Sequence, residues 1–221
     1  MKMLLVFKKE HDLRFIGHLD LQRAMQRAIR RSGLPASFSQ GFNPHIILSF
    51  AAPLAVGITG EREIAEIPLH LPVSPNDFLE RLGRALPPGL VALEAIGQPD
   101  DVPAAMARLF AAQYAFSPRK GEEGCWQKLL EGLPAFLARE SIPYIRRTKS
   151  GERPDDLRPG ILNLLEKKGE LWAALALNQH MTAKPDQLIA SLAETAGIKA
   201  PLPCIRRMAL LDSRFAPLEQ V

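Results

Sequence analysis

Proton transfer needs a base, and the histidines best placed to be one are His18, two residues before Asp20, and His45, which follows Asn43-Pro44. A general base works when a carboxylate orients its ring. Residues i and i+2 do not face each other on a helix, so His18 and Asp20 do not make that pair. Asp20 in a first helical turn instead favours the macrodipole, and His18 there caps or packs. A second strand lying beside the start of the first helix would bring His45 towards His18. Two histidines can share a proton or begin a metal site, but a metal needs further ligands that the sequence does not supply. His18, Asp20 and His45 are therefore the catalytic candidates, no metal site is expected, and the pattern favours a chain without catalytic activity of its own.

Arginine carries the other candidate chemistry. The stretch Arg14–Phe50 holds Arg14, Arg23, Arg27, Arg30 and Arg31 against one acid, Asp20. Residues 1–49 carry 8 positive and 3 negative charges, or +5, while residues 50–221 carry 20 and 21, or −1. The net basicity sits in the first segment, as expected of a chain with a polyanionic partner. A helix over Leu19–Ser32 places Leu21, Ala24, Met25, Ala28 and Ile29 on one face and Arg23, Arg27, Arg30 and Arg31 on the other. Such a stripe either contacts phosphate or is an ordinary solvated face. A second basic set, Arg146, Arg147, Lys149, Arg153 and Arg158 with Arg206 and Arg207, fits phosphate contact too. The neighbouring Asp155 and Asp156 offer it surface ion pairs instead.

Other classes are excluded. Lys149-Ser150-Gly151 lacks the upstream glycine of a phosphate loop, and no GxGxxG, GxSxG or HExxH occurs. Cys125 and Cys204 form no CxxC and no Cys/His cluster. They read as buried thiols of a reducing cytoplasm. The start, MKMLLVFKKE, has an apolar run too short for a signal peptide or a membrane span. No strand carries the RNP pattern of an RNA-recognition motif.

The elements that position these residues follow from periodicity. Strands are expected at Met3–Phe7, Ile46–Phe50, Ile64–Leu71 and Leu90–Ile96, with helices at Leu19–Ser32 and Asp77–Leu86. Ser74 or Asn76 caps the second helix, and Ala65, Ile67, Leu69 and Leu71 share one strand face. Ser39–Pro44 is a turn. The order β-α-β-β-α-β is the split βαβ unit of the ferredoxin-like fold. Gly97–Pro103, rich in Pro and Asp, reads as a linker. The order then returns, with strands at Gln113–Ser117, Ile142–Lys149, Leu171–Leu177 and Cys204–Leu211. Helices at Cys125–Arg139, kinked or closed by Pro134, and Pro185–Ala196 complete it. The expected fold is α+β, with tandem ferredoxin-like halves and antiparallel sheets. Residues 1–97 form the half with the basic helix, and residues 104–221 form the second half, with an insertion at 150–169. Leu157, Ile161, Leu164 and Leu165 give that insertion a helical pattern over Asp155–Lys168.

RFIGHLDLQRAMQRAIRRSGLPASFSQGFNPHIILSF, followed by PLAVG and EREIAEIPL, resembles the radical-SAM-linked domain of unknown function. IRRTKSGERPDDLRPGI and the terminal CIRRMALL are similar to it as well, so the resemblance covers nearly the whole chain. Serine is usual in that family where this chain has Gly17, while His18, Leu19 and Asp20 match. The resemblance implies a partner: members are fused to, or encoded beside, a radical SAM protein of the cobalamin-binding type. They often stand near a ribonuclease of the E/G type and ribosomal-protein genes. It implies no established activity for the domain. This chain has no cysteine triplet, so S-adenosylmethionine and an iron–sulfur cluster are expected only on the partner. Tandem ferredoxin-like halves are also similar to CRISPR repeat-processing endoribonucleases, an analogy of fold that transfers no function.

The expected function is an RNA-binding accessory module that presents tRNA or rRNA to a radical SAM modifying enzyme. Arg23, Arg27, Arg30, Arg31, Arg146, Arg147, Lys149 and Arg158 would contact phosphate, and Asn43 and His45 the target or the partner. The alternatives are an endoribonuclease-like enzyme using His18 and His45, and a protein–protein adaptor of the radical SAM partner. No membrane association is expected, and the expected location is the cytoplasm.

Overall fold

The apolar run Met3–Phe7 has no polar position to offer water, so it requires cover on both faces. All five side chains are fully buried in strand β1, Lys2–Lys9. The computed structural model describes residues 1–148 and 151–220 of a mixed α+β chain with mostly antiparallel sheet. It divides into two compact units, residues 1–110 with 207–221, and residues 111–206.

In the first unit β1 leads to helix α1, His18–Arg31, which buries Leu21, Met25, Ala28 and Ile29. These side chains share one core with Met3, Leu5 and Phe7. Gly33, at φ +66, supplies the left-handed residue that ends the helix. Strand β2, Ser49–Phe50, is shorter than expected. The backbone just before it bonds within its own loop: Phe38 bridges Ile46, and Ile47 N donates to Ser37 O at 2.9 Å. Strand β3, Ile58–Pro68, pairs antiparallel with β1 and β2. Pro68 ends it, so Leu69 is buried while Leu71 is 57% exposed, off the face predicted for it. Helix α2, Pro75–Ala85, leads to strand β4, Leu90–Gln98, which pairs antiparallel with β1. β4, β1 and β3 are neighbours in that order, and the short β2 pairs with β3 off that path. A short helix α3, Ala105–Arg108, follows.

Ser74 Oγ caps α2, accepting from Asp77 N at 3.2 Å. Ser74→Ala is expected to remove about 1 kcal/mol of stability. The urea midpoint should fall with the m-value unchanged.

The second unit begins with strand β5, Ala111–Ser117. Helix α4, Glu123–Glu131, and helix α5, Leu133–Leu137, stand where one helix was expected. Pro134 sits in the first turn of α5, where its missing N–H is harmless. The break falls at Gly132, where a Cβ would meet the Ala196 Cβ at 2.8 Å. Strand β6, Pro143–Thr148, and strand β7, Gly151–Asp156, form a two-stranded sheet of their own. Strand β8, Ile161–Lys167, strand β9, Glu170–Ala176, and helix α6, Pro185–Thr195, follow. Here β9 pairs antiparallel with both β5 and β8. Strand β10, Cys204–Leu211, crosses the division, with Arg207 onwards in the first unit.

Two expectations are corrected here. The helical pattern across residues 155–168 is a 3-10 turn, Arg158–Gly160, followed by β8. A register shift between Ile161 and Asn163 lets both Ile161 and Leu164 point inward, so a bulged strand imitates helical spacing. The strand expected at Ile142–Lys149 does not pair with β9. It forms one arm of the β6–β7 hairpin, and β8 takes the place beside β9. The thiols differ from expectation too. Cys125 is half-buried and donates to Lys199 O at 3.6 Å, and Cys204, at the first position of β10, is exposed. Among the described residues no helix is long and apolar enough to cross a membrane.

Candidate functional site

Arginines at i, i+4 and i+7 share one side of a helix, and the core face of α1 turns this side outward. Arg23, Arg27 and Arg30 are all exposed there. With Gln26 they line an open groove of about 260 Å³. The Arg23 guanidinium meets an exposed Asp20 at 3.4 Å, and such a pair contributes little. Arg27 Nε donates to Arg23 O at 3.3 Å. Among the described residues the Arg30 guanidinium has no hydrogen-bond or ion-pair partner. The groove thus presents cations with little local compensation.

Arg31 belongs to another arrangement. Its guanidinium donates to Ala85 O, at the C-terminal end of α2, at 2.5 Å. In return Arg81 of α2 donates to Ser32 O at 3.2 Å and to Gly33 O, at the end of α1. The two helices satisfy each other's terminal carbonyls. Arg31 therefore holds α1 against α2, which distinguishes it from its three neighbours.

Gln26 was not singled out by sequence. Its Nε2 donates to Ile46 O at 2.9 Å, tying the groove to residues 37–47. That loop is closed by Ser39 N donating to His45 O at 2.8 Å and by the Phe38–Ile46 bridge. Gly41, at φ +124, makes the turn at its tip, an angle that favours glycine. Beside it Phe42 is completely exposed, and Phe38 is 45% exposed. Asn43 and His45 are exposed on the same loop. Ser39 Oγ accepts from His45 N at 3.1 Å and lies 2.9 Å from His45 Nδ1. An exposed phenylalanine in a polar turn has no composition signal, and only the shape of the loop reveals it.

His18 and Asp20 separate. His18 lies half-buried in the first turn of α1, edge-on to Phe50 with ring centroids 5.4 Å apart. Its Nδ1 is buried with no hydrogen-bond partner among the described residues. The N-cap is Gly17, and no side chain caps the helix. Asp20 faces solvent and Arg23. Among the described residues no hydrogen bond or ion pair joins His18, Asp20 and His45.

The second basic set lies in the second unit. Arg146 pairs across the β6–β7 hairpin with Arg153, and its Nη1 meets Asp155 Oδ2 at 3.5 Å. The same carboxylate accepts from Tyr144 OH at 3.1 Å. Burial, then that bond, pushes the Tyr144 phenol above its ordinary value. Arg147 pairs in register with Glu152, while Lys149 lies outside the described residues. Arg158 is a fastening: its guanidinium donates to Arg139 O at 3.1 Å and to Ile161 O at 3.4 Å.

Asp156 fastens the same corner. Its Oδ1 accepts from Arg158 N at 2.9 Å and from Ile142 N at 2.8 Å. These bonds, the first above all, hold its carboxyl below the ordinary aspartate value. The stabilisation is full above that ordinary value and is lost as pH falls through the folded one. Asp156→Asn keeps an acceptor and removes the titration. It should flatten the stability curve below about pH 4, as read by unfolding midpoints at a series of acid pH values.

Residues 2–188 match the sequence profile of a family described as an uncharacterized protein conserved in bacteria, DUF2344. The chain belongs to that family. No curated protein matches it. The matched span of this DUF2344 chain covers the α1 groove, the loop at 37–47 and the β6–β7 hairpin. It also covers β8 and β9.

Proposed function

We propose that this DUF2344 chain is an RNA-binding accessory module, with α1 as its phosphate-contacting element. The carrying observation is the open groove of Arg23, Gln26, Arg27 and Arg30. Backbone phosphates supply the counter-charge these side chains lack within the fold. The adjoining loop brings an aromatic ring, an amide and an imidazole, which are groups suited to unstacked nucleotides.

The RNA would be a tRNA or rRNA, presented to a radical SAM enzyme. That part rests on the resemblance of the Arg14–Phe50 stretch to the radical-SAM-linked domain, with the cluster and S-adenosylmethionine on the partner. The likeness to ferredoxin-like halves is supported in the first unit by β1 standing between β4 and β3, with β2 pairing to β3. In the second it is supported by β9 standing between β5 and β8. Two free cysteines suit a reducing compartment, so we place this work in the cytoplasm.

The test is a titration of the purified chain with small RNA and ribosomal RNA at several salt concentrations, with heparin as competitor. Preference for one RNA over heparin that persists at physiological salt supports the proposal. Binding shared equally with heparin and gone at that salt overturns it. The adaptor reading has an observation of its own: Phe15, Leu19 and Val56 are each more than half exposed. Co-purification with the radical SAM protein after nuclease treatment, by a chain without RNA affinity, would select it.

A further inference from the structure

The two tryptophans are treated differently. Trp126 is 3% exposed, and its indole N–H donates to Gly169 O at 2.8 Å. Trp172, on β9, is half-buried, and among the described residues its indole N–H has no partner. Paired residues of adjacent strands share a face, and the face alternates along each strand. The register therefore sets Gln113 and Asn163 either side of Ala174, and Ala115 and Leu165 either side of Trp172. The opposite face carries Phe116, Leu164, Leu171 and Leu175, all buried. The Trp172 face is open over β8, with Leu165 41% exposed and Asn163 exposed, while Ala115 and Ala174 lie buried beside it.

A depression of about 140 Å³ lies on this face, lined by Gln113, Asn163, Leu165, Lys167, Trp172 and Ala174 among others. It is well below the roughly 300–1,000 Å³ of a pocket for a drug-sized ligand and suits a single ring system. The short side chain of Ala174 leaves the space beside the indole. Among the described residues the amides of Gln113 and Asn163 bond no protein group, so each offers a donor pair and an acceptor. Lys167 Nζ stands 5.5 Å from the centroid of the Trp172 ring. Glu170, paired with Lys167 across the strands, is neutralised by Arg206 at 2.6 Å. A flat aromatic surface, two amides and a free cation form the set that reads an unstacked base and its phosphate.

We propose that the Trp172 face binds an unpaired nucleobase of RNA. The base stacks on the indole, Gln113 and Asn163 bond its edge, and Lys167 meets the adjoining phosphate. This rests on the RNA-binding reading above and adds to it a substrate class, RNA with an unpaired segment. A duplex cannot offer such a base.

The full chain is titrated with a short single-stranded oligouridylate and with an RNA duplex of equal length, following affinity and tryptophan fluorescence. The oligouridylate should quench the wild-type fluorescence. Trp172→Leu should lose the quench and weaken single-strand affinity on the order of tenfold to a hundredfold, leaving duplex affinity unchanged. Trp172→Phe should restore part of the affinity. Absence of a quench in the wild type, or single-strand affinity unchanged in Trp172→Leu, overturns the inference. If affinity still falls when Arg23, Arg27 and Arg30 are replaced, the RNA-binding reading stands without it. A wild-type chain that binds neither RNA overturns both. Should Trp172→Leu fail to fold, the wild-type quench compared with Trp172→Phe decides the matter.

Discussion

Arg207→Met is expected to lower the stability of the first unit by about 3–5 kcal/mol, because it strands a buried carboxylate. Arg207 is 2% exposed and Glu63 is 3% exposed. The guanidinium donates through Nε to Glu63 Oε1 at 2.8 Å and through Nη2 to Glu63 Oε2. It also donates to Pro53 O at 3.0 Å and Ala52 O at 3.1 Å. Methionine matches the stem but offers no donor, so Glu63 and two carbonyls lose theirs together.

Lys9 moderates the loss. It is 1% exposed, and its Nζ donates to Ile16 O at 3.2 Å. Burial lowers its pKa, Glu63 opposes that shift, and Arg207 adds to it. Below the ordinary lysine value of 10.5 the unfolded chain holds a proton that the folded chain binds less tightly. Stability therefore rises with pH in that window. Removing Arg207 lifts the repulsion on Lys9 and leaves its attraction to Glu63. The alkaline rise should shrink, and the total loss should sit towards the lower end of the range. Urea unfolding at neutral and alkaline pH measures both effects. A loss under about 1 kcal/mol at neutral pH would mean that Glu63 is solvated after the substitution. Arg207→Met with Glu63→Leu should recover part of the loss, since an apolar pair leaves no buried charge. Recovery stays partial because Ala52 O and Pro53 O still lack donors.

The sequence made such a cluster hard to see. Lys9, Glu63 and Arg207 sit far apart along the chain, and Arg207, which the sequence groups with the phosphate-contacting set, is instead buried against Glu63. Periodicity served well where one face is buried and the other wet. Leu21, Met25, Ala28 and Ile29 of α1 follow that rule, as do Phe78 and Leu82 of α2. It failed where geometry breaks its own period. The bulge after Ile161 made β8 look helical, and Pro68 turned Leu71 out of a series that alternation would have continued.

The candidate site was legible by charge and illegible by shape. The cationic face of α1 follows from spacing alone, so Arg23, Arg27 and Arg30 could be grouped beforehand. The different role of Arg31 depends on where α2 ends in space, and that of Arg158 on a corner between Arg139 and Ile161. Phe42 carries no pattern, since a lone phenylalanine in a polar turn looks like any other. Trp172 lies in an apolar strand, ELWAALA, whose two faces differ only once β5 and β8 are placed beside it.

The contrast between Arg31 and its neighbours makes the strongest test of the α1 surface. Replacing Arg23, Arg27 and Arg30 together by Ala is expected to reduce RNA affinity on the order of a hundredfold at low salt, if each meets one phosphate. The slope of log affinity against log salt should become shallower by about 2, since each contact to a single strand contributes about 0.7. Folding stability should hardly change, because among the described residues these side chains make only surface contacts. Arg31→Ala should do the reverse. It removes the donor to Ala85 O, lowering the unfolding midpoint while leaving the salt slope near that of the wild type. Salt-dependent titrations of both variants, beside their unfolding curves, separate a phosphate-binding surface from a merely solvated one. If the triple variant keeps the wild-type slope, α1 is not the RNA-binding element. If Arg31→Ala alone flattens the slope, the groove is centred on the junction of α1 with α2 and not on Gln26.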